Sequence, residues 1–158
     1  MTQVSRTQLE TFAERFVADI AATAAPGRAG ATVVALVGDL GAGKTTFTQA
    51  LARALGVTGP ITSPTFVIEQ VYDLPRDKDK QGELYPFTRL VHIDAYRLES
   101  ADELARLGWS DVIADPNNLV VVEWGEKVRE ILPATTIWLE FTVTGESERS
   151  IKRVTSNS

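Results

Sequence analysis

The chain has 158 residues, 44% apolar and 23% charged, a composition that fits one globular domain with a sizeable core and excludes a wholly disordered or fibrous chain. It contains no cysteine, which excludes disulfides, thiolate metal sites and a cysteine nucleophile. With 16 Lys and Arg against 21 Asp and Glu, its net charge of -5 argues against a broad basic surface that grips DNA or RNA.

The N-terminal stretch mixes Arg6 and Arg15 with Glu10 and Glu14, unlike a leader peptide. No apolar run approaches the roughly 18 residues of a membrane span, so the expected setting is cytoplasmic, with no membrane. Thr7 and Glu10 read as a capping box, and Leu9, Phe12, Phe16, Val17 and Ile20 follow at helical spacing. A helix over residues 7–24 is expected, stopped at Pro26-Gly27.

Thr32 to Val37 is an unbroken β-branched run, the pattern of a strand buried on both faces in a parallel sheet. After glycine-rich residues 38–43, Phe47, Ala50, Leu51, Ala54 and Leu55 make a helical stripe, with Gly56 as its expected end. Phe66 to Tyr72 and Arg89 to Asp94 read as strands. The residues between them include Pro75, Gly82, Pro86 and the charge run Arg76 to Lys80, and carry no apolar helical stripe. The pair is therefore expected as an antiparallel hairpin with a long solvated loop. Ser100 is expected to cap a short helix to about Leu107, Leu119 to Glu123 to form a second buried strand, and Glu126 to Leu132 a short helix stopped by Pro133. Thr136 to Val143 and Arg149 to Val154 are expected to form a closing hairpin, with a frayed tail from about residue 155.

Gly38-Asp39-Leu40-Gly41-Ala42-Gly43-Lys44-Thr45 matches the phosphate-loop pattern G-x-x-x-x-G-K-[ST], between the strand and helix that such a loop requires. Glycines let the backbone curl around a phosphate so that its amides and the following helix dipole face the anion. Lys44 is expected to reach the β- and γ-phosphates, the Thr45 hydroxyl to ligate Mg²⁺, and Thr46 to face phosphate as well. Two apolar strands end in acids, Asp94 and Glu123, and in an open α/β sheet such ends converge on the ligand crevice. Both are candidates for the metal-linked carboxylate.

His92, the one histidine, reads first as a core or rim residue, and Trp109 and Trp138 as packing groups. Trp124 is equally a site residue or a core cap, and Asp39 is first a turn residue. The chain lacks an Asn-Lys-x-Asp guanine-reading motif, which favours ATP over GTP. From the residues alone, a Mg²⁺-dependent hydrolase, a small-molecule kinase and an ATP-bound interaction module all stay open.

Four motifs in order, Gly38 to Phe47, Ile61-Thr62-Ser63-Pro64-Thr65-Phe66, His92-Ile93-Asp94-Ala95-Tyr96-Arg97-Leu98 and Val122-Glu123-Trp124-Gly125, resemble the TsaE (YjeE) family. The resemblance implies an α/β fold over residues 1–158, P-loop NTPase-like, with three layers, antiparallel strands in a mixed sheet and helices on both faces. It implies a slow, partner-activated ATPase with ATP and Mg²⁺ as cofactors, supporting threonylcarbamoyladenosine modification of tRNA beside the anticodon. A TsaD–TsaB complex is the implied protein partner, with tRNA met indirectly through it. It further implies Lys44, Asp94 and Glu123 as catalytic, Thr45, Glu123 and Asp94 as metal-linked, and Thr62, Ser63, Pro64 and Thr65 as a switch. Tyr96, Arg97 and Trp124 are implied as further functional positions.

Overall fold

The computed structural model describes residues 2–24, 29–39, 41–61, 68–75 and 85–154. Among these residues seven strands form one mixed sheet: β1 (Thr2–Ser5), β2 (Thr32–Gly38), β3 (Glu69–Asp73), β4 (Arg89–Asp94), β5 (Asn118–Glu123), β6 (Ile137–Val143) and β7 (Glu148–Val154), in the spatial order β1-β7-β6-β2-β5-β4-β3. The central strands β6, β2, β5 and β4 run parallel, while β3, β7 and β1 join antiparallel at the edges. The β3–β4 and β6–β7 pairs are therefore the antiparallel hairpins expected from the sequence. The charge run Arg76 to Lys80 lies outside the described residues.

Alternation along the strands feeds two cores. Val34, Leu36, Leu90, Leu119 and Val121 pack beneath α1 (Arg6–Thr23) and α2 (Lys44–Ala54). Val33, Val91, Ile93, Val120 and Val122 face α3 (Ala101–Ala105), α4 (Trp109–Ala114) and a 3-10 segment, Gly125–Ile131. A parallel sheet covered on both faces needs strands apolar on both sides, and every residue of β5 is buried. On the first face, Phe47 is fully buried, with its ring 5.8 Å from Phe16 and 5.4 Å from Phe141. This aromatic cluster fixes the helix that follows the glycine loop against both α1 and β6.

Several expectations need correction. The first helix starts at Arg6, not Thr7: Ser5 precedes it and the Ser5 N–H donates to Gln8 Oε1 at 3.1 Å. The cap moves because residues 2–5 are already committed as β1, a strand not expected from the sequence, paired through Val4↔Arg149. Helix α2 ends as expected around Gly56, where Gly56 N–H donates to Arg53 O and Val57 N–H to Ala52 O, the paired bonds of a Schellman motif. Strand β3 begins at Glu69, after Ile68 at φ 65°; Phe66 and Val67 are outside the described residues. The helix expected from Ser100 to Leu107 ends at Ala105, and α4 was not expected at all. Trp109 begins α4 and is the packing group expected, 4% exposed with its indole N–H donating to Ile131 O at 3.2 Å.

Candidate active site

The loop between β2 and α2 sits at the carboxyl end of the central strand, with β5 and β4 next to it on one side and β6 and β7 on the other. Gly38 must be glycine: at φ 147° its backbone passes so close to β6 that a β-carbon would lie 2.5 Å from the Phe141 carbonyl oxygen. Gly43 at φ 101° turns the chain into α2, and Phe47 N–H donates to its carbonyl at 2.9 Å.

Lys44 opens the helix and is 4% exposed. Its ammonium donates to the carbonyls of Gly38 and of Asp39, the latter at 3.0 Å, and lies 3.9 Å from the centroid of the Trp124 ring. Burial pushes the Lys44 ammonium below its usual range, while Glu126, Glu123, Asp39 and Asp94 pull it back up. The nearby acids reduce the positive potential of this desolvated cation, while its carbonyl contacts are ones that an anion can replace.

The two acids meet as the strand pattern implied, Asp94 and Glu123 being direct neighbours on β4 and β5. Glu123 is 2% exposed and both its oxygens are engaged: Thr45 Oγ1 donates to Oε1 at 2.7 Å, and His92 Nε2 meets Oε2 at 2.5 Å. The Thr45 proton is thus directed at the carboxylate, which leaves the hydroxyl lone pairs for a cation. Asp94 Oδ1 accepts the Tyr96 N–H at 3.0 Å. Oxygen donors of this kind suit a hard divalent cation that keeps several waters. Among the described residues no three His, Asp or Glu side chains cluster to make a protein-only metal cage.

Among the described residues, only Ile68 and Trp124 combine a side chain with a left-handed φ, at 65° and 60°. Each adjoins an acid: Trp124 follows Glu123, and the Ile68 carbonyl accepts the Asp94 N–H at 2.8 Å. Such conformations cost on the order of 1–3 kcal/mol. At Trp124 the turn brings the indole over Lys44 and within 5.1 Å of the Tyr96 ring.

A cavity of 330 Å³ gathers these groups. Of the residues singled out in the sequence, Gly41, Ala42, Gly43, Lys44, Thr45, Thr46, Asp94, Tyr96, Glu123 and Trp124 line it. Gly38 and Asp39 enter through their carbonyls, and Arg97 is exposed outside the lining. Leu40 and the switch-like Thr62, Ser63, Pro64 and Thr65 fall outside the described residues. His92 turns out to be more than a core residue, because it holds the buried carboxylate. Arg149 was missed: it lines the cavity from β7, and its guanidinium donates to Gly41 O at 3.4 Å.

The sequence profile described as "Threonylcarbamoyl adenosine biosynthesis protein TsaE" matches residues 4–151. The protein named tRNA threonylcarbamoyladenosine biosynthesis protein TsaE of Bacillus subtilis is 38% identical over 131 residues, covering 83% of this chain and 72% of the relative. Its namesake in Treponema pallidum is 37% identical over 120 residues, covering 76% and 79%. The Streptomyces coelicolor protein of the same name is 46% identical over 101 residues, 63% of this chain, and the match spans only 61% of that relative. Among solved structures, Bacillus subtilis YdiB superimposes with a TM-score of 0.63 at 26% identity, covering 96% of this chain and 84% of that one. No helix among the described residues is long and apolar enough to cross a membrane.

Proposed function

Because this chain belongs to the TsaE family of threonylcarbamoyl adenosine biosynthesis proteins, we propose that it binds and hydrolyses Mg·ATP in the cavity at the β2–α2 loop, in support of threonylcarbamoyladenosine formation on tRNA. The observation that carries the reading is the chain of contacts Lys44–loop carbonyls, Thr45–Glu123 and Glu123–His92, which joins a buried cation to a held hydroxyl and a held carboxylate in one cavity.

In this reading Lys44 exchanges its contacts with the Gly38 and Asp39 carbonyls for the β- and γ-phosphates, while the amides of residues 41–46 receive the phosphate oxygens. Mg²⁺, if held there, would supply positive charge against the negative charge that develops on phosphoryl transfer. Thr45 would hold the ion through its hydroxyl oxygen, and Glu123, both oxygens already engaged by Thr45 and His92, would orient that hydroxyl. Asp94, adjacent across the strand pair, positions the attacking water. Trp124 shields the Lys44 ammonium from solvent, which strengthens its pull on phosphate.

Among the described residues that line the cavity the one arginine is Arg149, whose guanidinium donates to backbone carbonyls, so in this reading a partner completes the charge stabilisation and isolated turnover is slow. A TsaD–TsaB pair is the proposed partner. The net charge of -5 favours contact with tRNA through such partners over direct gripping of the nucleic acid. Phosphate release from Mg·ATP, measured with and without a purified TsaD–TsaB pair, tests this. Stimulation that vanishes in Lys44→Ala is expected; unstimulated release, or full tRNA modification by Lys44→Ala in a reconstituted assay, would refute it.

A further inference from the structure

The chain leaves each of the two acids by a turn, and one lysine bridges the turns. After Glu123, Trp124 takes a left-handed φ of 60° and leads into the 3-10 segment Gly125–Ile131. That segment is pressed onto the sheet: a β-carbon on Gly125 would lie 2.7 Å from Ala35 Cβ and 3.3 Å from the Trp138 ring, and Val128 is fully buried. Lys127 stands between these two anchors, its own N–H donating to Trp124 O at 3.0 Å. Its side chain is exposed, but the backbone that carries it is fixed.

The turn after Asp94 is tied at both ends, Ala95 N–H donating to Glu123 O at 3.0 Å and Leu98 N–H to Ala95 O at 3.1 Å. Tyr96 lies between them, 44% exposed, and its N–H is the one that donates to Asp94 Oδ1. Lys127 engages Tyr96 twice. Its ammonium donates to Tyr96 O at 2.5 Å and lies 5.2 Å from the centroid of the Tyr96 ring. One cation thus sets both the peptide and the ring of Tyr96, and through the Tyr96 N–H it sets the rotation of the Asp94 carboxylate. A surface lysine ordinarily keeps its ammonium in water; this one spends it on the residue that holds the acid.

We propose that Lys127 is a positioning residue of this site: it clamps Tyr96 so that the Tyr96 N–H keeps the Asp94 carboxylate in the orientation that places the attacking water. The proposal rests on the role given to Asp94 above and adds the residue that makes the orientation of that acid unique. Misplacement of a reacting group by about 1 Å costs about a hundredfold in rate, so a carboxylate that aims a water needs such a clamp. Lys127 is not among the described residues that line the cavity, so it acts on the rate of the step and not on the hold on the nucleotide.

Two measurements on the full chain test it, with Lys127→Met removing the ammonium at nearly equal length and Lys127→Arg keeping a cationic donor. In the ligand-free protein, amide hydrogen exchange followed by NMR should quicken about tenfold at Tyr96 in Lys127→Met, the restraint that one charge-assisted hydrogen bond supplies, and stay unchanged at residues 119–122 of β5. In phosphate release from Mg·ATP with the TsaD–TsaB pair, kcat should fall about tenfold while the calorimetric Kd for Mg·ATP stays the same. Lys127→Arg should recover most of both losses. Unchanged exchange and kcat would make Lys127 a solvated surface group. Exchange quickened equally in β5 would make it a general stabiliser, and weaker Mg·ATP binding at constant kcat would place its effect on Lys44 through the Trp124 ring. Each of these overturns the proposal. If the wild type with its partners releases no phosphate, the hydrolytic reading falls and the catalytic half of the proposal with it, whereas the exchange rates decide the Lys127–Tyr96–Asp94 clamp independently.

Discussion

Replacing His92 by leucine isolates the energetics of the buried carboxylate. His92 is fully buried; among the described residues its Nε2 contact with Glu123 Oε2, at 2.5 Å, is the one hydrogen bond its ring makes, and its Nδ1 is buried without a partner. The neutral tautomer with the proton on Nε2 leaves Nδ1 a bare acceptor, which costs less than an orphaned N–H. Leucine keeps the volume, so the change is one oxygen of a carboxylate, 2% exposed, losing its donor. Hydrogen bonds to charged groups contribute about 1.5–3 kcal/mol, and Thr45 still holds the other oxygen. A loss of about 2–3 kcal/mol is expected, which at a urea slope of about 2 kcal/mol per molar lowers the unfolding midpoint by about 1–1.5 M. The fluorescence of Trp109 and Trp138, 4% and 3% exposed, reports the transition. Exchanging a whole buried polar pair for apolar groups is often neutral or stabilising, so His92→Leu with Glu123→Met should recover most of the loss. An unchanged midpoint in His92→Leu, or a double variant as unstable as the sum of the singles, would refute the reasoning.

Glu69 on β3 has its carboxyl raised above the usual 4.5 by burial. The folded state then holds that proton more tightly than the unfolded chain, so the contribution to stability is present below the unfolded value and lost as pH rises through the folded one. Glu69→Gln should accordingly raise Tm at about pH 7 and leave it nearly unchanged at about pH 4; a benefit equal at both pH values would exclude burial as the cause. Gly38→Ala drives a β-carbon to 2.5 Å from the Phe141 carbonyl, whereas one on Gly41 meets nothing within 4 Å among the described residues. By calorimetry the first substitution should lower Tm much more than the second, and equal losses would show that β6 gives way at no cost.

The strand–loop–helix at the centre was legible because three independent signals coincide there: a β-branched run, glycines where the chain must turn, and a 3.6-residue apolar stripe from Phe47. Strand β5 was equally plain, since a position between two parallel neighbours demands apolar residues throughout. The missed elements were short. Thr2–Ser5 is four residues with one large apolar side chain, Val4, so no alternation can be read from it, and Trp109–Ala114 spans under two helical turns. In the site, Asp94 and Glu123 were found because each ends an apolar run. Arg149 gave no such signal: an arginine on a closing hairpin reads as a solvated edge, and only the strand order brings it to the glycine loop. His92 was underrated for a related reason, because its value lies in an oxygen 31 residues away in sequence.

The pairing of β1 with β7 has a mechanical consequence. Thr2 lies opposite Ile151 and Ser5 opposite Glu148, so tension applied at Thr2 and Val154 acts on the same end of an antiparallel ladder. Its hydrogen bonds then bear the load one after another, as in opening a zipper, rather than together in shear. Such a ladder parts at low force, and the first piece to leave carries Val4 and Ser5 out of the cavity lining while Lys44, Thr45 and Glu123 stay seated on β2, α2 and β5. A pull on the end of this chain would therefore strip one wall from the cavity before the sheet's parallel centre yields.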